Sequence, residues 1–529
     1  MKSTENFPKI AVGSIVTLAF GLLHSASSFA APTSAVKKNN ENNADRPNIL
    51  FVFTDDQRYD SVAALGNKDI YTPNLDSLVN HGVTFVNTYL QGANTAGTSV
   101  PSRCQLLTGR GVFNIPDGWG RPFPDSMTTF ATAFSSAGYY TFTTGKETNG
   151  IESSMRGFKD GAKLFDLGQG HYHPHYKLPV QDFRKDGKYG VEHMYYVGEN
   201  NKGRYPVLKY DKPDMINSFE GTHDAKIFGK ACADFIKNYD KKEPFLIYLA
   251  FHAPHDPRQA PRNYKDMYPV EDIHLYPNFR TMPIFDNGQT MTRDELLAPY
   301  PRTVENTKEQ ISDYYAFISL IDAELGKILK VLRERGFDKK TIIVFSSDSG
   351  LGLGSHGLFG KQSLYDDGSI HVPFVLCGPN IPENQKRKDL CYTFDIYPTL
   401  CDLTNIPIPK SVLGKSVAAS IKHETAKPKR KELFFGYEDL ARSVRDERFK
   451  LIESCVHGVR TTQLFDLIED PYEIHNLFNE KEYANVLAHL RKRLEANKVN
   501  DASWGDNFWK TYFETPAPKN VRKIPGKTL

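Results

Sequence analysis

The chain is poor in cysteine and in net charge. It has six cysteines in 529 residues, and no two of them form the C-x-x-C pair that is typical of structural zinc sites, which argues against a zinc protein. The net charge is only +3, from 66 basic and 63 acidic residues. Because phosphate binding usually needs a basic excess on one face, this balance argues against nucleic acid as the main partner. A local basic pocket for a single anion is still compatible with it.

The N-terminus lacks an apolar run long enough to span a bilayer comfortably. The run extends only from residue 10 to about residue 23, and small residues up to Ala30 follow it. This pattern predicts a secretory signal peptide over residues 1–30, with an uncleaved anchor as the alternative. Residues 31–45 are polar and predict a disordered linker. No cysteine stands at the predicted cut, so a lipoprotein is not expected, and we predict secretion without stable membrane insertion.

Three continuous apolar runs end in polar residues. The runs cover residues 48–53, 245–251 and 341–345. Such runs predict buried parallel strands, and ligands of open α/β sheets lie beyond the carboxyl ends of the strands. The polar residues at these ends are Asp55, Asp56, His252 and Asp348. The sequence therefore predicts an α/β fold with a central, mostly parallel sheet flanked by helices, and one functional site at its edge.

Helical patterns separate these strands, and short strand patterns follow them. A helix start is predicted over residues 72–78, and an amphipathic helix over residues 313–335 that ends before Gly336. The short strand candidates cover residues 433–435, 443–445, 449–452 and 463–467. Strands this short and close in sequence predict an antiparallel sheet. We predict a large domain over residues 46–420 and a smaller C-terminal subdomain over residues 430–515.

A motif near residue 100 carries the strongest functional signal. It reads Ser99-Val100-Pro101-Ser102-Arg103 and continues as Leu106-Leu107-Thr108-Gly109-Arg110. Further motifs occur in the order Asp55-Asp56-Gln57-Arg58, Gly145-Lys146, His252-Ala253-Pro254-His255, Ser347-Asp348-Ser349-Gly350 and His356-Gly357-Leu358 with Lys361. From about residue 46 to about residue 479 the chain resembles the type I sulfatases of the alkaline phosphatase superfamily. Their signature is [Cys/Ser]-x-Pro-Ser-Arg-x-x-x-[Leu/Met]-Thr-Gly-Arg.

The resemblance implies a nucleophile and a metal ion. In this family the residue at position 99 is oxidised to formylglycine, an aldehyde whose hydrate attacks sulfur, and here that residue is Ser99. One Ca²⁺ ion is implied, and such a hard cation prefers oxygen ligands. The implied ligands are Asp55, Asp56, Ser99, Asp348 and Ser349. The family usually has Asn or His at position 349, so the serine hydroxyl, Gln57 or water is expected to complete the coordination.

The resemblance also implies roles for the basic residues. Arg103 is expected to hold the formylglycine hydrate, and Lys146 and Lys361 to contact the sulfate oxygens. His252 is expected to protonate the leaving alcohol, a role that suits the pKa of histidine. His356, in the motif before Lys361, is expected to help shape the substrate pocket.

Thr148 departs from the family pattern, which usually reads Gly-Lys-Trp-His at residues 145–148. A threonine can form a hydrogen bond but cannot act as a base near neutral pH. Another group then takes over, or the enzyme is slow, or its substrate is unusual. His173, in the histidine-rich stretch 171–175, is one candidate to line the pocket, although this stretch can equally be a loop that merely carries histidines. Substrate contacts are expected from Thr148, His173 and His356.

The expected partners follow from the same resemblance. A serine at position 99 implies an anaerobic radical sulfatase-maturing enzyme, which fits a periplasmic bacterial enzyme, and the expected substrate is a sulfated saccharide. Two alternatives stay open. One is a phosphodiesterase or phosphonate hydrolase of the same superfamily, against which the Pro101-Ser102-Arg103 context and Lys361 argue. The other is a non-catalytic relative that binds sulfated glycans, against which the presence of Ser99, Arg103 and Asp348 argues.

Overall fold

A computed structural model describes most of the chain. The described residues are 46–115, 123–150, 153, 155–166, 178–181, 194–197, 223–256, 258, 260–500 and 505–516. The predicted signal peptide and linker, and the stretch with His173, lie outside these residues. Within the described ranges, no helix combines the length and apolar character that a membrane crossing needs.

The described elements are fifteen strands and ten α-helices. The strands are β1 Asn48–Thr54, β2 Gly82–Tyr89, β3 Gly92–Ala93, β4 Tyr140–Glu147, β5 Asp160–Asp166, β6 Leu178–Gln181, β7 Met194–Val197, β8 Phe245–Ala250, β9 Thr341–Ser347, β10 Phe374–Cys377, β11 Gln385–Tyr392, β12 Leu433–Tyr437, β13 Ala441–Arg445, β14 Phe449–Val456 and β15 Val459–Asp466. The helices are α1 Pro73–Asn80, α2 Ser99–Thr108, α3 Phe130–Ser136, α4 Asp224–Asn238, α5 Arg262–Lys265, α6 Val304–Glu334, α7 Ile396–Leu403, α8 Ala418–Lys422, α9 Ala484–Ala496 and α10 Gly505–Glu514.

The large sheet has ten strands in the order β11-β2-β10-β9-β1-β8-β4-β5-β6-β7. Strand β1 lies at its centre and pairs in parallel with both β8 and β9, so that Phe51 stands opposite Tyr248 on one side and Val344 on the other. These are the three strands predicted from the apolar runs. Their adjacency confirms that the polar residues after them meet at one edge of the sheet.

Both faces of the central strands are covered. Leu50 and Val52 pack with residues of α1, α4 and α6 on one face. Phe51 and Phe53 pack with residues of α2, α3 and α7 on the other face. Two-sided burial explains why β1 is a continuous apolar run rather than an alternating one. The α/β fold predicted from the sequence is confirmed.

Helix α6 begins earlier than the sequence predicts. It starts at Val304 rather than at residue 313, because the Thr303 side chain caps it by accepting a hydrogen bond from the backbone N–H of Asn306 at 3.1 Å. The first turns of the helix are polar, so the apolar periodicity becomes visible only from Tyr314 onwards. Gly336 follows the helix at φ +66°, as expected for a glycine that ends a helix.

The second sheet has five strands in the order β15-β14-β13-β12-β3. Strands β12 to β15 pair in antiparallel fashion, as predicted from the short strand patterns. Strand β3 joins β12 in parallel, with Gly92 opposite Gly436. At φ +120°, a Cβ on Gly92 would lie 1.9 Å from the carbonyl oxygen of Gly436, so only glycine fits. The segment that leads to Ser99 is thereby tied to the second sheet.

The described residues belong to one compact unit, which contains both sheets. The division into a large domain over residues 46–420 and a C-terminal subdomain over residues 430–515 stays a prediction.

Candidate active site

The acidic residues predicted at the sheet edge lie side by side. Asp55 and Asp56 follow β1 and Asp348 follows β9, and all three are fully buried. The backbone N–H of Asp348 donates to the carbonyl of Thr54 at 3.1 Å, which extends the pairing of the two strands. The backbone N–H of Asp56 donates to Oδ1 of Asp348 at 2.9 Å. Asp56 has φ +70°, so the chain turns sharply where these carboxylates meet.

Ser99 is the first residue of α2 and points into this acidic cluster. Its hydroxyl donates to Oδ1 of Asp55 at 3.1 Å and accepts from Nζ of Lys361 at 3.3 Å. One turn later, the hydroxyl of Ser102 donates to the carbonyl of Asp348 at 2.6 Å and fixes the helix against the end of β9. A helix N-terminus carries a partial positive charge that favours anions, so Ser99 lies where a bound anion is stabilised.

Three cations surround Ser99. Nη2 of Arg103 donates to Oδ2 of Asp55 at 2.8 Å, and Nζ of Lys146 lies 2.7 Å from the same oxygen. Lys361 donates to Oδ1 of Asp56. Burial alone would raise the pKa of the Asp55 carboxyl, but the charges of Lys146 and Arg103 hold it well below its usual range. The structure thus brings together all three predicted basic residues.

The same cluster has unsatisfied oxygen atoms. Among the described residues, Oδ2 of Asp56 and Oδ2 of Asp348 are buried without a hydrogen-bond partner. Burial, together with the charges of Asp55 and Asp348, raises the pKa of Asp56 to about 7. Asp55, Asp56 and His255 offer ligand atoms that lie within 4.8 Å of one another. Buried carboxylate oxygens that accept no hydrogen bond, as in Asp56 and Asp348, fit a hard divalent cation such as Ca²⁺.

Ser349 and Gln57 occupy different positions in this cluster. The Ser349 hydroxyl donates a hydrogen bond to Oδ1 of Asp56 at 3.0 Å, so its proton is directed towards a carboxylate. The backbone N–H of Gln57 donates to the Ser347 hydroxyl at 2.9 Å, while both side-chain amide atoms are buried without a partner within the described ranges. Gln57 therefore stays a candidate for the coordination that a serine at position 349 leaves incomplete.

His252 lies just beyond β8, on the same edge. Its Nδ1 is 3.2 Å from Oδ2 of Asp224, the first residue of α4. Its ring packs against that of His255, with centroids 5.0 Å apart. Burial lowers the pKa of His252, and the nearby charge of Lys146 adds to this effect. His252 is therefore enclosed near the acidic cluster, with one ring nitrogen already paired.

Two residues at the site were not predicted. Nε2 of His255 lies 3.9 Å from Oδ1 of Asp55 and 3.9 Å from Oδ2 of Asp56. His255 stands inside the motif quoted around His252, so its spacing was a usable signal. Asp224 belongs to no motif, and only the fold brings it to His252.

Thr148 and His356 take different places. Thr148 is buried, and its hydroxyl donates to Oδ1 of Asn149 at 3.5 Å. Nδ2 of Asn149 in turn donates to the carbonyl of Val100 at 2.9 Å, so this segment lies against the start of α2. His356 stacks on Tyr365 at 3.8 Å, and burial lowers its pKa to about 3. Its ring is thus held against the Tyr365 side chain. The roles of Thr148, His356 and His173 in substrate binding stay predictions.

All six cysteines lie in the described part of the chain, and each is a free thiol. Cys104, next to Arg103, is fully enclosed in the core. Burial raises the pKa of its thiol to about 12, which is incompatible with a nucleophilic thiolate near neutral pH.

Comparison with protein families decides the class of this site. The sulfatase family model matches residues 47–406. The chain belongs to the sulfatase family. It is a sulfuric ester hydrolase. A second family model, for the C-terminal region of N-sulphoglucosamine sulphohydrolase, matches residues 354–500.

Curated relatives are similar over most of their length. An arylsulfatase of Clostridium perfringens is 29% identical over 85% of this chain and 94% of its own length. An N-acetylglucosamine-6-O-sulfatase of Bacteroides thetaiotaomicron is 26% identical over 85% of this chain and 86% of its own length. A Delta 4,5-hexuronate-2-O-sulfatase of the same organism is 25% identical over 85% of this chain and 88% of its own length.

Solved structures share the fold. A protein in complex with its substrate D-glucosamine-2-N,6-O-disulfate has a TM-score of 0.66 at 23% identity, over 86% of this chain and 98% of its own. The phosphonate monoester hydrolase of Agrobacterium radiobacter has a TM-score of 0.64 at 22% identity, over 86% of this chain and 96% of its own. Sulfatases and phosphonate hydrolases thus have the same architecture, and the residues of the site must distinguish them.

Proposed function

We propose that this sulfatase hydrolyses a sulfate ester on a saccharide, with formylglycine derived from Ser99 as the nucleophile and one Ca²⁺ ion. The placement of Ser99 is the observation that carries the proposal. Its hydroxyl lies 3.1 Å from Asp55 and 3.3 Å from the Lys361 ammonium, at the start of a helix and beside buried carboxylates. A nucleophile held there faces both a cation site and several positive charges.

The basic residues account for binding of the sulfate group. Arg103, Lys146 and Lys361 are each at least 95% buried, so their charges act where water screens them little. Sulfonyl oxygens gain negative charge as the ester bond breaks, and positive groups already in place stabilise that charge without reorganisation. Arg103 also donates to the hydroxyl of Tyr248 at 3.1 Å, which keeps its guanidinium plane in one orientation.

The carboxylates account for the metal ion. Asp55, Asp56 and Asp348 would hold Ca²⁺, with residue 99 as a further ligand and with Ser349 or Gln57 beside them. When bound, the ion would act as a Lewis acid that polarises the sulfate oxygens. The Oδ2 atoms of Asp56 and Asp348, which are buried and accept no hydrogen bond within the described residues, support this assignment.

Oxidation of Ser99 accounts for turnover. An ordinary serine that attacked sulfur would remain as a sulfate ester. An aldehyde hydrate has a second hydroxyl, and loss of its proton expels the sulfate. The residues after Ser99 match the family signature, so we propose that an anaerobic radical maturase performs this oxidation before export to the periplasm.

His252 accounts for release of the alcohol. It is buried next to the acidic cluster, and Nδ1 is paired with Asp224 at 3.2 Å. The other ring nitrogen, Nε2, is then the one that can donate a proton to the departing oxygen. A poor leaving group such as a sugar hydroxyl needs this proton more than an activated aryl group does.

The saccharide substrate is supported by the curated relatives. Two of them are named for sulfate removal from N-acetylglucosamine and from an unsaturated hexuronate, and both are similar over at least 85% of this chain. We propose a sulfated monosaccharide or oligosaccharide as the substrate class of this protein.

Peptide mass spectrometry across Ser99, on protein produced with an anaerobic maturase, tests the nucleophile. Conversion lowers the mass of the peptide by about two units, and sulfate release is then measured on a panel of sulfated monosaccharides. Ser99→Ala is the control, since it keeps the fold but offers no hydroxyl to oxidise. Conversion with release supports the proposal. Unmodified Ser99 in the presence of active maturase, combined with hydrolysis of phosphonate or phosphate diesters, would favour the phosphoester alternative.

A further inference from the structure

Asp224 and His252 form a buried pair beside the site. Oδ2 of Asp224 lies 3.2 Å from Nδ1 of His252, and the two side chains are only 5% and 7% exposed. Asp224 comes from α4 and His252 from the end of β8, so the pair joins two elements that differ in sequence position by 28 residues. A buried polar pair at this distance fixes the orientation of both groups.

The contacts of Asp224 favour the ionised carboxylate. Its Oδ1 accepts from the backbone N–H of Ala225 at 2.7 Å, at the positive end of a fifteen-residue helix. Nδ1 of His223 lies 2.7 Å from the same oxygen. Burial opposes ionisation, but His223 and His252 hold the pKa of Asp224 far below its usual range. An ionised carboxylate can only accept hydrogen bonds, so the proton of the contact with His252 resides on Nδ1.

We propose that Asp224 is the positioning residue of His252: it keeps the proton on Nδ1 and turns Nε2 towards the leaving oxygen of the substrate. This inference rests on the proposed function, because it assigns a partner to the proposed proton donor. In the reaction, one hydroxyl of the residue 99 hydrate passes its proton to the Asp55 carboxylate, to which the Ser99 hydroxyl donates at 3.1 Å, and its oxygen forms a new bond to sulfur while the bond between sulfur and the leaving oxygen breaks. That oxygen keeps the electron pair of the broken bond and takes the proton from Nε2 of the doubly protonated His252 ring, whose charge Asp224 balances.

After this transfer, His252 is neutral and still carries the proton on Nδ1, shared with Asp224. Nε2 then has a free electron pair, so it can accept the proton released when sulfate departs, while the proton on Asp55 passes to water. Asp224 stays ionised throughout and neither gains nor loses a proton. Its role is to decide which nitrogen of His252 exchanges protons with the reaction.

An amide in place of the carboxylate reverses this arrangement. In Asp224→Asn the side chain can donate its N–H to Nδ1, which favours the His252 tautomer protonated on Nε2. A neutral ring in that tautomer has no free electron pair on Nε2, so it cannot accept the proton released when sulfate departs. In addition, an amide does not balance the positive charge of the doubly protonated ring. Asp234→Asn is the matched control, since Asp234 lies on the same helix, is 50% exposed and pairs only with Lys230 among the contacts described.

The kinetic test uses matured protein and substituted phenyl sulfates whose alcohols have pKa values from about 7 to about 10. The wild type, Asp224→Asn, Asp234→Asn and His252→Ala are compared. For the poorest leaving group we expect Asp224→Asn to lose roughly a hundredfold in kcat/KM, and for the best one less than about threefold. His252→Ala should show the same steep dependence, and the double variant no additional loss. A purely structural role would lower all rates by one common factor.

A second measurement does not depend on activity. Nitrogen-15 NMR of histidine-labelled protein, with the His252 signals assigned by difference against His252→Ala, reports which ring nitrogen carries the proton. For the neutral ring we expect the Nδ1-protonated tautomer in the wild type and in Asp234→Asn, and a shift to the Nε2-protonated tautomer in Asp224→Asn. The proposal is overturned if the neutral ring of the wild type carries its proton on Nε2, or if Asp224→Asn leaves the leaving-group dependence unchanged.

The two tests separate this inference from the proposed function. If the wild type releases sulfate and His252→Ala alone steepens the dependence, the sulfatase stands and the role of Asp224 falls. If the wild type releases no sulfate from any ester, both fall together.

Discussion

Replacing Arg302 by methionine removes one side of an enclosed ion pair next to Lys361. The side chains of Arg302 and Glu295 are 0% and 2% exposed. The Glu295 carboxylate also accepts from the backbone N–H of Phe359 at 3.0 Å and of Gly360 at 2.8 Å. Methionine keeps an apolar stem but removes the guanidinium, with its charge, its donors and its stacking over the rings of Tyr300 and Phe359.

The expected loss follows from these contacts. Breaking a buried ion pair by removing one partner costs about 3–5 kcal/mol, because the remaining charge is left uncompensated. The guanidinium also donates to the carbonyls of Glu295 at 2.9 Å and Gly357 at 3.3 Å, and each unsatisfied buried acceptor adds roughly 1–3 kcal/mol. Part of this loss of stability is offset, because the Glu295 carboxylate keeps two backbone N–H donors and the Tyr300 hydroxyl, which donates at 2.9 Å. We expect Arg302→Met to lower the free energy of unfolding by about 3–5 kcal/mol.

Urea denaturation of matched variants measures this loss. Lys330→Met is the control, since Lys330 is 71% exposed and lies 3.7 Å from Glu334, which is 60% exposed, so its removal should cost less than about 1 kcal/mol. Equal denaturant slopes are required before the midpoints are compared. If Arg302→Met costs no more than Lys330→Met, the pair of Arg302 with Glu295 is not a stabilising contact and the reasoning is refuted.

Three further predictions concern the metal site and the thiols. Burial and neighbouring carboxylates raise the pKa of Asp56 to about 7, so this carboxyl group must lose a proton when a cation binds. The Kd for Ca²⁺, measured by calorimetry, should therefore fall about tenfold per pH unit as the pH rises towards 7. A Kd that does not depend on pH would contradict this. In the metal-free protein the same raised pKa gives stability that is present at acid pH and is lost as pH rises through about 7, so the difference in Tm between Ca²⁺-loaded and metal-free protein should widen over that range. Since all six cysteines are free, denatured protein should titrate six thiols with and without reductant, and a lower number without reductant would reveal a disulfide.

The centre of the fold could be predicted because its signal is local. Each central strand is buried on both faces, so it appears in the sequence as an unbroken apolar run followed by polar residues. Asp55, Asp56 and Asp348 stand directly after such runs, and the parallel pairing of β1 with β9 brings them together. Strand identity, strand direction and the acidic half of the site therefore follow from short stretches of sequence.

Contacts between distant segments could not be predicted in this way. Asp224 is one acidic residue at the start of an ordinary helix, and its proximity to His252 depends on how α4 packs against the sheet. The early start of α6 was missed for a different reason: its first turns, from Val304 to Gln310, are mostly polar and show no apolar periodicity. Strand β3 has only two residues, too few for any pattern, although it joins the second sheet.

The second sheet takes part in building the site through one buried carboxylate. Asp366 accepts from Nζ of Lys450 on β14 at 2.6 Å and pairs with Arg445 on β13. Three residues later, the Ser369 hydroxyl donates to the carbonyl of Lys361 at 2.6 Å. The segment from Lys361 to Ser369 is therefore fixed by two contacts. Asp366 is held by the basic residues of the second sheet, and Ser369 is hydrogen-bonded to Lys361, whose ammonium contacts Asp56. Because a buried carboxylate is stable only with such partners, we expect loss of the second sheet to leave Asp366 without Arg445 and Lys450 and to loosen the segment that carries Lys361.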